Sequence, residues 1–459
     1  MNKLGFWSIV LLTINLIVGS GIFLSPGTVV GMAGKYTPLV YLIAASFAGV
    51  LALSFAASAK YVNKGGAAYA YSTAAFGENI GFYVGIAQFI AGSIAWGVMA
   101  TAVVKTILVI SGGPSNDPVW VTVGILILMI IVFCINIFGT KLFEIVNNLS
   151  TAGKLISLGT VIIAGLIIII STGKSHYYEI DHLVNTSHLD SSGFVMAIIA
   201  AFYAFTGFEN VANGSQDMQS PEKNLPKAIP LAILIIGTTF IGLITIIMMI
   251  NPEALLRTKQ VVSLVAIFKS PILYNIILYG ALISMFGINI ATSFSIPRML
   301  ESVAEKGQLP TWFKYRNKYG FPLNAFLATA VVAVLLPMSF RFDMDSIIVL
   351  SAISRFVQFL IVPAALITFY MGRAHDDVLD SAKKNIFTDM FMPSFALFLT
   401  VFMLFRFDWK SEFSVKHHGE LVLNYSAIIA MVIGYIVLPA VLFWINHRRD
   451  AKKKVAKEH

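Results

Sequence analysis

Long apolar runs separated by short polar intervals fill the chain from about residue 5 to about residue 446. A helix crosses the hydrocarbon core of a bilayer with roughly 20 apolar residues. About twelve such stretches can be drawn on that criterion, near 5–31, 38–62, 80–111, 119–138, 142–172, 193–214, 228–250, 272–303, 323–339, 346–370, 390–407 and 422–446. No polar interval between them exceeds roughly 20–30 residues, so the pattern predicts an all-α integral membrane protein with a single membrane domain over 1–459. The first run, about Leu4 to Met32, is too long for a signal-peptide core and leads straight into another apolar run. It is expected to stay in the protein as its first helix.

Composition agrees with the pattern. Hydrophobic residues make up 57% of 459 positions and charged residues 12%, and mean hydropathy is +0.81, more apolar than a water-soluble core of this length requires. Cys134 is the one cysteine and stands inside an apolar run, so no disulfide is expected and the thiol should pack as a small hydrophobe. The net charge of +9 would suggest a nucleic-acid partner only if the basic residues were not distributed by topology. With both termini cytoplasmic, about twenty Lys and Arg fall on the cytoplasmic side and about nine opposite. The cytoplasmic set includes Lys60, Lys64, Lys223, Lys227, Arg298, Lys306, Lys314, Arg316, Lys318, Arg373 and the tail from Arg448 to Lys457. The positive-inside rule accounts for the excess, and nucleic acid is not expected as a partner. The tail reads as a stop-transfer flank or as a contact with anionic lipid.

Span count alone does not separate a channel, a membrane enzyme and a transporter; interruptions within the spans say more. Gly19-Ser20-Gly21 falls in the middle of the first run, and Thr206-Gly207 followed by the ionisable Glu209 falls in the sixth. Glycine lets the backbone leave helical geometry, which lipid tolerates only where the freed groups line a protein cavity. Two breaks five spans apart are what an inverted repeat places at a central binding site. Close helix packing by small residues is the alternative for Gly-Ser-Gly.

The segment Asn15-Leu16-Ile17-Val18-Gly19-Ser20-Gly21-Ile22-Phe23 resembles the first-helix signature of the amino acid–polyamine–organocation (APC) permeases. Phe202-Tyr203-Ala204-Phe205-Thr206-Gly207-Phe208-Glu209, the stretch from Pro221 to Pro230, Ser295-Ile296-Pro297-Arg298-Met299-Leu300 and Gly307-Gln308-Leu309-Pro310 agree with it, so the resemblance spans essentially the whole chain. It implies a LeuT-type 5+5 inverted repeat with broken helices 1 and 6. About 5–172 would form the first repeat, about 193–370 the second, and about 390–446 two peripheral helices.

An α-amino acid brings two charges that must be paired once desolvated. The amides of Ser20, Gly21 and Ile22, with the Ser20 hydroxyl, should take its carboxylate. By the family's motif, the carbonyls of Ile17, Tyr203 and Thr206 should take the ammonium, and the rings of Tyr203 and Phe205 would close over the substrate or else pack in the core. Ser93, Trp96, Met285 and Asn289 are the selectivity candidates.

Lys154 lies about a dozen residues into the fifth span, too deep for easy snorkelling. In similar permeases a lysine here sits where sodium-coupled relatives hold a cation, its ammonium bridging the first and eighth helices, which implies sodium independence. Burial disfavours the charged form of a lysine, so the same group could release and regain a proton and drive symport. A lysine acting only as a strut would suit an exchanger. Glu209 resembles a family position tied to gating or protonation and could equally be a structural acid. Arg355, within the tenth span, has no charge partner evident in the sequence and is a candidate for a vestibule lining; Lys105 reads as a snorkelling anchor.

The reading is thus a secondary amino acid transporter of the cell (inner) membrane working by alternating access. Uptake of neutral L-amino acids by proton symport is favoured because no carboxylate cluster could pair a distal cation. The alternatives are an exchanger, including one for cationic amino acids or polyamines, and a transporter-like sensor. The eight histidines, His176, His182, His188, His375, His417, His418, His447 and His459, fall in loops and the tail, and no catalytic constellation, metal or cofactor is expected.

Overall fold

In helices this apolar, tertiary packing decides which face meets protein and which meets lipid. The computed structural model describes residues 3–19, 21–184, 191–257, 267–268, 270–339, 354–375, 378–379, 381–407, 409–417 and 420–445. Its helices, in chain order, are α1 (Phe6–Ile17), α2 (Gly21–Leu24), α3 (Pro26–Ala33), α4 (Thr37–Tyr61), α5 (Ala68–Phe76), α6 (Glu78–Ile110), α7 (Pro118–Ile137), α8 (Thr140–Thr172), α9 (Ile180–Leu183) and α10 (Ser191–Tyr203). A 3₁₀ segment, Phe208–Asp217, precedes α11 (Pro221–Ile250), α12 (Pro252–Arg257), α13 (Pro271–Glu305), α14 (Leu323–Ser339), α15 (Phe356–Tyr370), α16 (Met392–Arg406), α17 (Trp409–Glu412) and α18 (Tyr425–Val432). An antiparallel hairpin, Ser414–His417 with Glu420–Leu423, separates the last two helices.

Among the described residues eight helices are long and apolar enough to cross a membrane, and four shorter apolar helices, Phe6–Ile17, Leu323–Ser339, Phe356–Tyr370 and Ile433–Ile445, accompany them. The start of the predicted span 346–370 and the tail from Arg448 to Lys457 lie outside the described residues. Proline marks several starts, at Pro118, Pro221 and Pro271, where its missing N–H costs nothing. At α7 the Asp117 carboxylate also caps the Val119 N–H at 2.8 Å.

The broken helices form the centre. α1 packs against α8, α11, α13 and the 3₁₀ segment; α4 lies along α11, and α13 lies between α6 and α8. In the most apolar window of α6 and of Gly193–Asp217, 72% of residues are buried, against 28% in α7 and 22% in α8. The last two therefore form an outer wall, with Ile163, Ile167 and Ile170 facing outward, as a lipid-facing surface requires. Cys134 on α7 is exposed on that wall, so it does not pack inside the protein as its apolar surroundings in the sequence suggested.

Candidate functional site

α1 stops being a helix at Val18, whose ψ of 82° turns the chain aside, and Gly19 N–H bonds to Ile17 O at 2.8 Å instead of continuing the helical ladder. Helix resumes at Gly21; Ser20, between them, lies outside the described residues. The interruption frees carbonyls that the bilayer core cannot hydrate, and two other helices satisfy them. The fully buried Lys154 of α8 donates from Nζ to Val18 O, to Asn15 Oδ1 at 2.5 Å and to Asn15 O at 3.4 Å. Ser284 of α13 donates to Val18 O at 2.9 Å and to Gly19 O at 3.4 Å. Asn15 Nδ2 donates to Asn147 Oδ1 at 2.8 Å, which turns the Asn15 oxygen toward the lysine. The ammonium thus ties the fifth-span helix to the first, and the eighth-span helix reaches the same carbonyl through Ser284.

The sixth-span break is built differently. After α10 the N–H groups of Ala204, Phe205 and Thr206 bond three residues back, at 3.1, 2.9 and 3.3 Å, a tightening typical of a helix end. Thr206 Oγ1 also donates to Tyr203 O at 2.9 Å. Gly207 then takes φ = 123°, which only glycine adopts without strain. A Cβ there would fall 2.1 Å from Leu16 O, and one on Gly21 would fall 2.8 Å from Ala204 Cα. The two breaks therefore lie backbone against backbone. The freed Gly207 N–H donates to Glu209 Oε2 at 2.7 Å, and Asn210 Nδ2 donates to Glu209 Oε1 at 3.3 Å. Arg355, unpaired on a reading of the sequence, stands across from this carboxylate with Nη1 3.3 Å from Oε1.

Between the breaks is a partly open cavity of about 30 Å3, room for a water molecule or two. Leu16, Ile17, Gly19 and Gly21 line it from the first break, and Tyr203, Thr206, Gly207 and Asn210 from the sixth. Ala95 and Met99 of α6, Ile288 and Thr292 of α13, and Arg355 complete the wall. Of the candidates named from sequence, Ile17, Gly21, Tyr203 and Thr206 thus meet at one cavity, while Lys154 stands behind the first break and Glu209 behind the sixth.

Ile22 is buried outside the lining. Phe205 points the other way, its ring 6.4 Å from Tyr41 and 5.2 Å from Phe240. Ser93, Trp96, Met285 and Asn289 are buried but not part of the wall; Trp96 packs edge-on against Phe326 at 5.6 Å, and Asn289 Nδ2 donates to Met285 O at 2.7 Å. Trp96 and Asn289 each follow a lining residue by one position, about 100° around the helix. The pairs Ala95/Met99 and Ile288/Thr292 have the four-residue spacing of a shared face, but small and aliphatic side chains carry no chemical signal in the sequence.

Below the cavity a run of buried polar groups leads to one end of the bundle. Asn213 receives from Gln88 at 2.7 Å and donates to Ser295 at 3.1 Å. Beyond them Asp217 pairs with Arg298 at 2.6 Å and with Arg316 at 3.1 Å, and Arg316 pairs with Glu301 at 2.5 Å. The chain start closes the same end: Leu4 N–H donates to Asp217 O at 2.8 Å and Gln219 N–H donates to Leu4 O at 2.9 Å. Four charges and a backbone bridge thus hold the foot of the 3₁₀ segment against α13 and its following loop.

The amino acid permease family profile matches residues 4–438. The chain is 38% identical to an uncharacterized transporter of Mycobacterium tuberculosis over 98% of its own length and 95% of that protein. It is 28% identical to the serine/threonine exchanger SteT of Bacillus subtilis, over 67% of this chain and 69% of that one. With the mitochondrial cationic amino acid transporter 3 of Arabidopsis thaliana it shares 23% identity over 80% of this chain and 62% of that one. Two abutting helix breaks in a multi-pass helical membrane protein, joined to a profile match over nearly the whole length, place the chain in the amino acid permease family of APC transporters.

Proposed function

We propose that the protein is a sodium-independent secondary transporter of the cell (inner) membrane that carries amino acids by alternating access. In this reading both termini are cytoplasmic, twelve spans form a LeuT-type fold, and residues 5–172 and 193–370 are its inverted repeats, with 390–446 peripheral. The observation that carries it is the back-to-back contact of two interrupted helices beside a small cavity, with Lys154 filling the carbonyls of the first break. The substrate carboxylate is assigned to the amides of Ser20, Gly21 and Ile22, which begin a helical segment, and its ammonium to the carbonyls of Ile17, Tyr203 and Thr206. Because the cavity is small, admission of an amino acid requires the helices around the breaks to move apart, as alternating access demands.

Sodium independence follows from occupancy: oxygens of Asn15 and Val18 that could ligate a cation already accept from the Lys154 ammonium. Loss of that proton would remove the charge and one of the three donors, loosening the hold on these oxygens, which couples a proton to the cycle and makes symport the first reading. Exchange is the second, favoured by the likeness to a protein named as a serine/threonine exchanger. A cationic side chain is disfavoured because Glu209, the carboxylate next to the cavity lining, already faces Arg355.

The test is uptake of labelled amino acids into liposomes holding the purified protein, with and without a pH gradient, sodium and internal amino acid. Accumulation driven by an inward proton gradient in empty vesicles, lost in Lys154→Ala, supports symport. Uptake that needs internal amino acid makes the protein an exchanger, and a sodium requirement defeats the role given to Lys154. Binding without flux in any arm would mean a sensor.

A further inference from the structure

Arg355 stands at the entrance to α15 and is 6% exposed, yet it lines the cavity between the breaks. The charge it faces among the described residues, Glu209, does not fully occupy it. The Glu209 carboxylate already accepts from the Gly207 N–H and the Asn210 amide, and Arg355 Nη1 at 3.3 Å lacks the alignment of a hydrogen bond. Among the described residues this buried nitrogen has no hydrogen-bond acceptor. A guanidinium offers five N–H donors in a planar fork matched to a carboxylate, so a donor is left over at the cavity wall.

The charges around the breaks are also unequal. With Lys154 protonated it bonds to neutral oxygens of Asn15 and Val18, and Arg355 faces Glu209, so that among the described residues two cations stand against one anion. In a medium of low dielectric an uncompensated positive charge favours an incoming anion. A zwitterion with a neutral side chain leaves the imbalance and the spare donor as they are, and a cationic side chain adds repulsion from a fixed guanidinium. A side-chain carboxylate relieves both, by accepting from Arg355 and by cancelling the excess charge.

Resting on the amino acid transport reading above, we propose that Arg355 is a specificity-determining residue and that the substrate is an amino acid with an acidic side chain, aspartate or glutamate. The backbone of the breaks holds the α-carboxylate and ammonium, and Arg355 receives the distal carboxylate.

The experiment measures uptake of labelled L-aspartate, L-glutamate, L-alanine and L-lysine by the full chain in liposomes, each challenged by the other three unlabelled. Aspartate or glutamate should compete at concentrations at least about tenfold below alanine, and lysine should not compete with them. The double variant Arg355→Gln/Glu209→Gln keeps the sum of buried charge, so its failure to fold is less of a risk than for either single change. In it the ratio of acidic to alanine uptake should fall on the order of 30-fold. Arg355→Lys, which keeps the charge but loses the fork, should lower the same ratio by a smaller factor and serves if the double variant does not fold. Alanine or lysine outcompeting the acids would overturn the substrate assignment and leave transport intact. An unchanged ratio in the folded variants would overturn the role of Arg355. No uptake or binding of aspartate or glutamate, with or without internal amino acid, would overturn this substrate assignment, while the transport reading fails only if no amino acid of the wider set above is carried.

Discussion

The two helix breaks solve opposite problems. At the first, what the interruption leaves exposed is carbonyl oxygen, at Asn15, Val18 and Gly19, and the donors come from far away in the chain: Lys154 of α8 and Ser284 of α13. At the sixth, the exposed group is the Gly207 N–H, and its acceptor is Glu209, two residues on. One break is held together by tertiary structure and the other largely by its own sequence. Backbone groups buried in a membrane must be satisfied in either case, but only the first break depends on three helices keeping their relative positions. That makes it the break whose satisfaction is lost when helices separate, a property a gate needs, while the Gly207 N–H of the sixth keeps its acceptor when the segment moves.

Three substitutions sharpen that contrast. Lys154→Ala removes the donor to several oxygens at once and should cost about 1–3 kcal/mol for each buried acceptor left unsatisfied, the largest total of the three. Thermal unfolding in detergent should show a large fall in midpoint, and added sodium should not restore uptake. A midpoint near the wild-type value would mean that the first break does not depend on α8. Gly207→Ala acts at the sixth break, where a Cβ would press on Leu16 O and the residue would sit at φ = 123°. A cost of about 1–3 kcal/mol is expected from the backbone strain, with loss of uptake even where the protein folds, because the contact between the breaks is pushed apart. Ser284→Ala deletes one hydroxyl from a carbonyl that Lys154 still serves, and about 1 kcal/mol or less should be lost. If its loss in unfolding midpoint matches that of Lys154→Ala, the carbonyls depend on α13 as much as on the lysine.

Much of the centre was legible because chemistry out of place in an apolar run stands out. Gly19 to Gly21, Gly207, Glu209 and Lys154 all interrupt hydrophobic stretches, and the structure brings both breaks and the lysine to one region. Arg355 stood out too, but its partner did not: Glu209 lies 146 positions earlier in the chain, and no helical spacing links residues on different spans. Cavity-facing positions were the least legible. Ser93, Trp96, Met285 and Asn289 drew attention through size or polarity, whereas Ala95, Met99, Ile288 and Thr292 line the cavity. In a helix buried on most sides, which residues face a cavity depends on its rotation about its own axis, and α6 has too even an apolar surface to declare one.

By itself the sequence determined that this chain is a bundle of apolar helices, where two of its apolar runs are interrupted, and which charges stand inside such runs. These follow from local composition, because lipid penalises every unsatisfied polar group wherever it occurs. Tertiary structure alone decided that Lys154 reaches the carbonyls of Asn15 and Val18, that Arg355 meets Glu209, and that Gly207 rests on Leu16. Those contacts join residues far apart in the chain, and they arise from how the helices are rotated and stacked, which side-chain packing over the whole bundle sets.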